Sequence, residues 1–330
     1  MFKICVIGCG AMAKSGHGPA FRKYADAYPD TRLAACCDLN AEAAESFKNA
    51  FGFEKAYTDY VQMLDELRPE VVSLLCPVAK TAELAIDIIQ RGYHVILEKP
   101  PGRNTGECQA IADAANRAGV FVRTAFNRRY TPLIVKLKEM LGDEKIRSVT
   151  YQMYRKNRHD PDFSTTSIHA IDAVSYIVGS PYRELSLRYA QIPENGPGVV
   201  NILLQGALQN DALVSLSLIP VGGTTVERIS VNTDKATYFA ELPFWNNPDS
   251  PGKLTRMDGN EITHTVSGDS LVDSEEMFET SGFYEENRSF FELICSGAQP
   301  FSDLESGMQA VEIADLIRNR IISYRATEEE

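Results

Sequence analysis

Gly8-Cys9-Gly10-Ala11-Met12-Ala13 stands directly after a short apolar run, residues 4–7, and opens a stretch with helical spacing. The pattern is G-x-G-x-x-A between a strand and a helix. Gly8 allows a tight turn, Gly10 lets the backbone approach a pyrophosphate, and Ala13 lets the helix pack close to the strand. The backbone N–H groups where the helix begins, at Ala11 and Met12, and the helix dipole favour phosphate there. The next apolar run, residues 33–37, ends in Asp38. A carboxylate at that place suits the two hydroxyls of an adenosine ribose and repels a 2′-phosphate. Leu39 and Asn40 follow it, with no Arg to welcome such a phosphate. The expected cofactor is therefore NAD rather than NADP. Asp38 has a second reading as the N-cap of a helix over 41–51, a position Asn40 can also fill.

Working outward, residues 71–76, 94–97 and 120–125 are further short apolar runs, separated by helical patterns over 41–51, 81–91 and 105–118. Gly92 and Gly119 each end a helical run, as C-terminal caps do. Strand and helix alternating in this way predict a doubly wound parallel sheet, a Rossmann domain over residues 1–125. Beyond Tyr130 the texture changes. Helices are expected over 132–141 and 165–178, and strands over 147–154, 185–189, 199–208, 212–219, 226–232 and 235–241. Residues 246–269 read as an irregular insertion, two helices over 284–296 and 302–323 close the chain, and Glu328-Glu329-Glu330 reads as a frayed end. Residues 126–330 are thus expected to form an α+β domain with a large, mostly antiparallel sheet.

Composition narrows the function classes. The 330 residues are 44% hydrophobic and 24% charged, with a formal net charge of -12. That acidity argues against nucleic acid or an anionic membrane as a partner. No apolar run approaches the ~18 residues of a membrane span, and the N-terminal run is short for a signal peptide. The 7 cysteines form no C-x-x-C, no zinc spacing and no even framework, which fits reduced thiols in the cytoplasm. No metal site is expected.

Glu98-Lys99-Pro100-Pro101 follows the strand at 94–97, at the carboxyl edge of the parallel sheet where ligands bind. Together with the glycine turn, Asp38, Leu74-Leu75-Cys76-Pro77 and Phe126-Asn127-Arg128-Arg129-Tyr130, it stands in the order and spacing of the Gfo/Idh/MocA oxidoreductases, which this chain resembles. The likeness is carried by residues 1–130 and is looser beyond. It implies a second domain with an open sheet, a homodimer or homotetramer, and NAD(P)-dependent oxidation or reduction of a sugar, cyclitol or related polyol. It implies cofactor contacts at Gly8, Gly10, Ala11, Met12, Asp38, Cys76, Pro77, Glu98, Lys99 and Asn127. Lys99 matches the lysine that family members hold near the nicotinamide and the reacting hydroxyl. An oxidised nicotinamide is cationic, and a like charge beside an ammonium eases loss of its proton.

Ser164-Thr165-Thr166-Ser167-Ile168-His169-Ala170-Ile171-Asp172 is similar to the family's H-x-x-D helix. Thr165, His169, Asp172 and Tyr176 share one helical face. The likeness implies catalytic roles for His169 and Asp172 beside Lys99, and substrate contacts for Lys99, Arg128, Arg155, Thr165, His169 and Asp172. Many family members carry Asp where this chain has Thr165, whose hydroxyl orients a substrate but cannot act as a carboxylate base. Arg155-Lys156-Asn157-Arg158-His159 has two readings: a patch that steers an anionic substrate with Arg128 and Arg129, or a solvated strand end. His17 reads equally as a cofactor neighbour or as a capping or packing residue. Two other functions share these residues: a glycosidase or eliminase that uses bound NAD transiently, and a non-catalytic nucleotide or sugar sensor.

Overall fold

The computed structural model describes residues 1–245 and 247–326; the acidic end at 328–330 lies outside them. The chain forms two compact units, Met1–Asn127 with Gly282–Met308, and Arg128–Ser281 with Gln309–Glu330.

In the first unit six strands, β1 (Phe2–Ile7), β2 (Thr31–Cys37), β3 (Lys55–Tyr57), β4 (Val71–Leu74), β5 (His94–Glu98) and β6 (Val122–Ala125), form one sheet in the order β3-β2-β1-β4-β5-β6. All their pairings are parallel. Between them run α1 (Gly18–Ala27), α2 (Ala41–Phe51), α3 (Tyr60–Leu67), α4 (Val78–Gln90) and α5 (Thr105–Ala118). The period of two in β1 sends Cys5 and Ile7 into one core, with Leu64, Ile88 and Ile111, and sends Ile4 and Val6 into another. Helices therefore cover both faces, and the strands read as continuous apolar runs.

The second of these cores includes Phe290 and Phe291, which belong to a helix near the end of the chain (Phe283–Cys295). The Phe291 ring lies 5.6 Å from that of Phe2 and 5.0 Å from that of Tyr24. Residues 282–308 thereby join the Rossmann unit. Before α1 the chain makes a π-helical turn over Ala13–His17, wider than the plain α-helix the spacing suggests.

Among its described residues the second unit carries nine strands: β7 (Ile146–Tyr154), β8 (Tyr182–Gln191), β9 (Val200–Leu208), β10 (Leu213–Ile219), β11 (Val226–Thr233), β12 (Thr237–Leu242), β13 (Lys253–Asp258), β14 (Glu261–Ser267) and β15 (Ser323–Arg325). Their order is β14-β13-β12-β11-β7-β10-β9-β8-β15, and only β7 and β10 pair in parallel. Two helices, α6 (Pro132–Leu141) and α7 (Ser164–Val178), pack on this sheet. Three further helices follow in the chain: the four-residue α8 (Met277–Thr280), α9 (the Phe283–Cys295 helix) and α10 (Leu304–Arg318). The irregular insertion expected over 246–269 is corrected here: β13 and β14 form a hairpin turning at Gly259. Residues 261–265 of β14 are exposed, so this edge strand has no buried face to give it apolar alternation.

Phe291 is fully buried among aromatic rings. Phe291→Ala should cost about 3–5 kcal/mol of stability. Asn40→Ala, which removes only the N-cap of α2, should cost about 1 kcal/mol. Urea unfolding of the two variants checks the ranking.

Candidate functional site

Three strand ends meet at the glycine turn. Gly8 N–H donates to the Cys37 carbonyl at 2.8 Å, and Leu75 N–H donates to the Ile7 carbonyl at 2.8 Å. Gly8 has φ +99, and a Cβ there would lie 2.3 Å from the Leu75 carbonyl oxygen. Only glycine fits. Gly10 differs: a Cβ on it would meet nothing within 4 Å. No neighbour among the described residues requires glycine at position 10, whereas a pyrophosphate lying against the backbone would. The residues present therefore fit a dinucleotide.

Asp38 reinforces that fit. Its Oδ2 accepts the Cys9 N–H at 2.8 Å and its Oδ1 accepts the Asn40 N–H at 2.9 Å. The N-cap of α2 is Asn40, whose Oδ1 accepts from Glu42 and Ala43. The capping alternative for Asp38 is thereby removed. Ala11 is exposed and Met12 half-buried at the helix start. Cys76 and Pro77 follow β4; burial raises the Cys76 thiol, whose Sγ lies 3.6 Å from Thr81 Oγ1. Asn127 is buried in the short turn after β6. The strand order turns back between β1 and β4, so all these residues line the carboxyl edge of one sheet around its switch point.

Glu98 ends β5 with its side chain buried. Its Oε1 lies 3.1 Å from His17 Nε2, and its Oε2 accepts the Lys99 N–H at 3.0 Å. Burial alone pushes this carboxyl up; the His17 hydrogen bond and the charge of Lys99 outweigh it and hold the group below the usual range. Lys99 itself is half-buried.

In the second unit, His169 and Asp172 are buried on α7, with Thr165 half-buried. Asp172 accepts two bonds from Arg129, at 2.9 Å from Nε and 2.5 Å from Nη2. Burial, the larger influence, still raises its carboxyl above the ordinary value. Arg128 and Arg155 do not form an open basic patch. Both are buried against Glu227, Arg128 through Nη2 at 2.6 Å, and both lie over the Phe244 ring, at 4.6 and 4.3 Å. Tyr151 also donates to Glu227, at 2.6 Å. Arg158 pairs with Asp160 at 2.6 Å. Arg128, Arg129, Arg155 and Arg158 thus face carboxylates, while Lys156 is exposed.

Glu227 escaped sequence reading, although the signal was present. The strand period places it on the same face as the buried Ile229 and Val231, where a carboxylate demands a buried cation. Among the described residues, no group of three or more His, Cys, Asp or Glu could hold a metal ion, and no helix is long and apolar enough to cross a membrane.

Burial opposes ionisation of Glu227, but Arg128 and Arg155 prevail and bring its carboxyl down to about 2. A depressed carboxyl contributes stability above its unfolded value, and that stability is lost as pH falls toward 2. Glu227→Gln should cost about 3–5 kcal/mol near neutral pH by depriving two buried guanidiniums of their shared carboxylate. The cost should shrink as the pH is lowered through that window. Denaturant titrations across pH measure it.

A family model described as an oxidoreductase family with an NAD-binding Rossmann fold, Gfo/Idh/MocA, matches residues 2–126. Levoglucosan dehydrogenase of Pseudarthrobacter phenanthrenivorans is 32% identical over 147 residues, 43% of this chain and 37% of that protein. Inositol 2-dehydrogenase of Salmonella typhimurium is 24% identical over 197 residues, 57% of each. The chain thus spans between about a third and somewhat over half the length of these relatives. A solved structure of levoglucosan dehydrogenase in complex with NADH and levoglucosan shares the fold, with TM-score 0.79 at 20% identity over 98% of this chain and 99% of that one. Over its Rossmann domain, residues 2–126, the chain is thus similar to the Gfo/Idh/MocA oxidoreductase family.

Proposed function

We propose that the protein is an NAD-dependent dehydrogenase or reductase that moves a hydride between nicotinamide and a carbinol carbon of a sugar, cyclitol or related polyol. The observation that carries this reading is the pairing of an open Gly10 with Asp38 beside it at the switch point of the parallel sheet. The loop from Gly8 to Met12 would hold the pyrophosphate and Asp38 the adenosine ribose, with Cys76, Pro77, Glu98 and Asn127 along the same edge. Bound NAD supplies the hydride acceptor or donor.

The proton chemistry falls to Lys99 and His169. In the oxidative direction the Lys99 amine takes the hydroxyl proton as the carbonyl forms, and it returns that proton in the reverse direction. His169 is assigned a hydrogen bond to a substrate hydroxyl and a part in proton exchange. Thr165 orients a neighbouring hydroxyl. Asp172, bonded twice to Arg129, fits a role in holding α7 rather than one as a free base. The pairing of Arg128 and Arg155 with Glu227, and of Arg158 with Asp160, favours a neutral polyol over a uronate or sugar phosphate. A cytoplasmic homodimer or homotetramer belongs to the same proposal.

Calorimetry should show tighter binding of NADH than of NADPH, with Asp38→Ala narrowing the gap; the opposite order in the wild type contradicts the cofactor assignment. Lys99→Ala and His169→Ala should each lower kcat by ~10²–10⁴, much more than they lower NADH affinity. Thr165→Ala should cost less than either. Assays on a panel of sugars and cyclitols, following NADH and products together, separate this function from its rivals. Turnover without net NADH points to a glycosidase or eliminase, and binding without turnover to a sensor.

A further inference from the structure

We infer that His17 and Asn287, acting through Glu98, are positioning residues for Lys99. The inference rests on the proposed role of Lys99 and adds the means by which the first unit fixes it.

Donor and acceptor accounting gives the network a direction. Asn287 is fully buried on α9, and its Nδ2 donates one hydrogen to the Phe283 carbonyl at 2.8 Å. A backbone carbonyl only accepts, so the amide cannot be turned around. The same Nδ2 lies 3.1 Å from His17 Nδ1, which must therefore accept its second hydrogen. The His17 proton is then on Nε2, which faces Glu98 Oε1 at 3.1 Å. The other carboxylate oxygen accepts the Lys99 N–H. Donors from α9, through the turn before α1, and from the backbone of Lys99 thus converge on the Glu98 carboxylate.

The local fold serves this arrangement. His17 ends the π-helical turn, and such widened turns are rare and concentrate at functional sites. The imidazole is fully buried, edge-on to Phe283 at 5.3 Å and tilted on Phe21 at 5.8 Å. A Cβ on Gly16 would lie 2.7 Å from the Phe283 ring, so the absence of a side chain there lets that ring close over the turn. Packing alone would be met by apolar side chains without the cost of burying a carboxylate. A buried, directed carboxylate is explained when the group it holds must be placed to within a fraction of an ångström. His17 and Lys99 are charged or titratable groups that act on Glu98.

The test is a double-mutant cycle read by single-turnover kinetics, with NADH binding by fluorescence as the check on folding. His17→Phe keeps an aromatic ring but removes the donor to Glu98. It should lower kcat about 10- to 100-fold, as small misplacements of reacting groups do, with KM and NADH affinity little changed. His17→Gln, which can still donate to Glu98, should recover most of the loss. In a Lys99→Ala background His17→Phe should cost nothing further. Should His17→Phe not fold, Asn287→Leu, which removes the donor that fixes the His17 proton on Nε2, takes its place in the cycle with a loss of kcat in the same direction. Unchanged kcat in the folded variant, or an equal loss in both backgrounds, overturns the inference. Wild-type turnover by Lys99→Ala alone would instead overturn the proposed role of Lys99.

Discussion

At the end of β1 the backbone passes so close to the carbonyl of Leu75 that no side chain fits at position 8. The candidate site depends on this contact. It brings the ends of β1 and β4 together at the switch point of the sheet, while the Gly8 N–H draws in the end of β2 through the Cys37 carbonyl. Asp38 is thereby set beside the loop and accepts the Cys9 N–H. The turn is fixed by the protein's own backbone, and the open space beside Gly10 is left for a ligand. The two glycines share one motif but answer to different constraints: one is forced by the fold, and the other we assign to what binds.

Buried charge is handled differently in the two units. In the first, Glu98 is held ionised by an imidazole hydrogen bond and the neighbouring lysine. In the second, Glu227 sits between two guanidiniums and a tyrosine hydroxyl, and Asp172 answers Arg129. Pairs of this kind add little net stability, because desolvation offsets attraction, but breaking one leaves a buried charge that is expensive to keep. Their effect here is on chemistry. Cations already engaged with carboxylates attract an anionic ligand weakly, which supports the proposal of a neutral polyol.

Much of this was legible in the sequence where the signal was local. The glycine turn, Asp38, the Glu98-Lys99-Pro100 turn and the alternation of strands and helices all lie within a few residues of the structure they specify. What was missed was short, exposed or distant. β3 has three residues, too few to show a period. β14 has an exposed edge and no apolar face. The return of α9 to the first unit depends on Phe290 and Phe291 meeting Phe2, Phe21 and Tyr24, and no local pattern reveals a partner so far away in the chain. His17 was visible as a residue, but its partners were hidden, 81 positions on at Glu98 and 270 on at Asn287.

The central claim is that this chain passes a hydride between a polyol carbon and nicotinamide. The most direct measurement uses NAD with a panel of sugars and cyclitols carrying deuterium on their carbinol carbons, and follows the label by mass spectrometry. The account predicts that, for the true substrate class, each molecule of ketone or lactone formed is matched by one deuterium in the reduced nicotinamide. Turnover of the polyol with no label reaching the nicotinamide would contradict it.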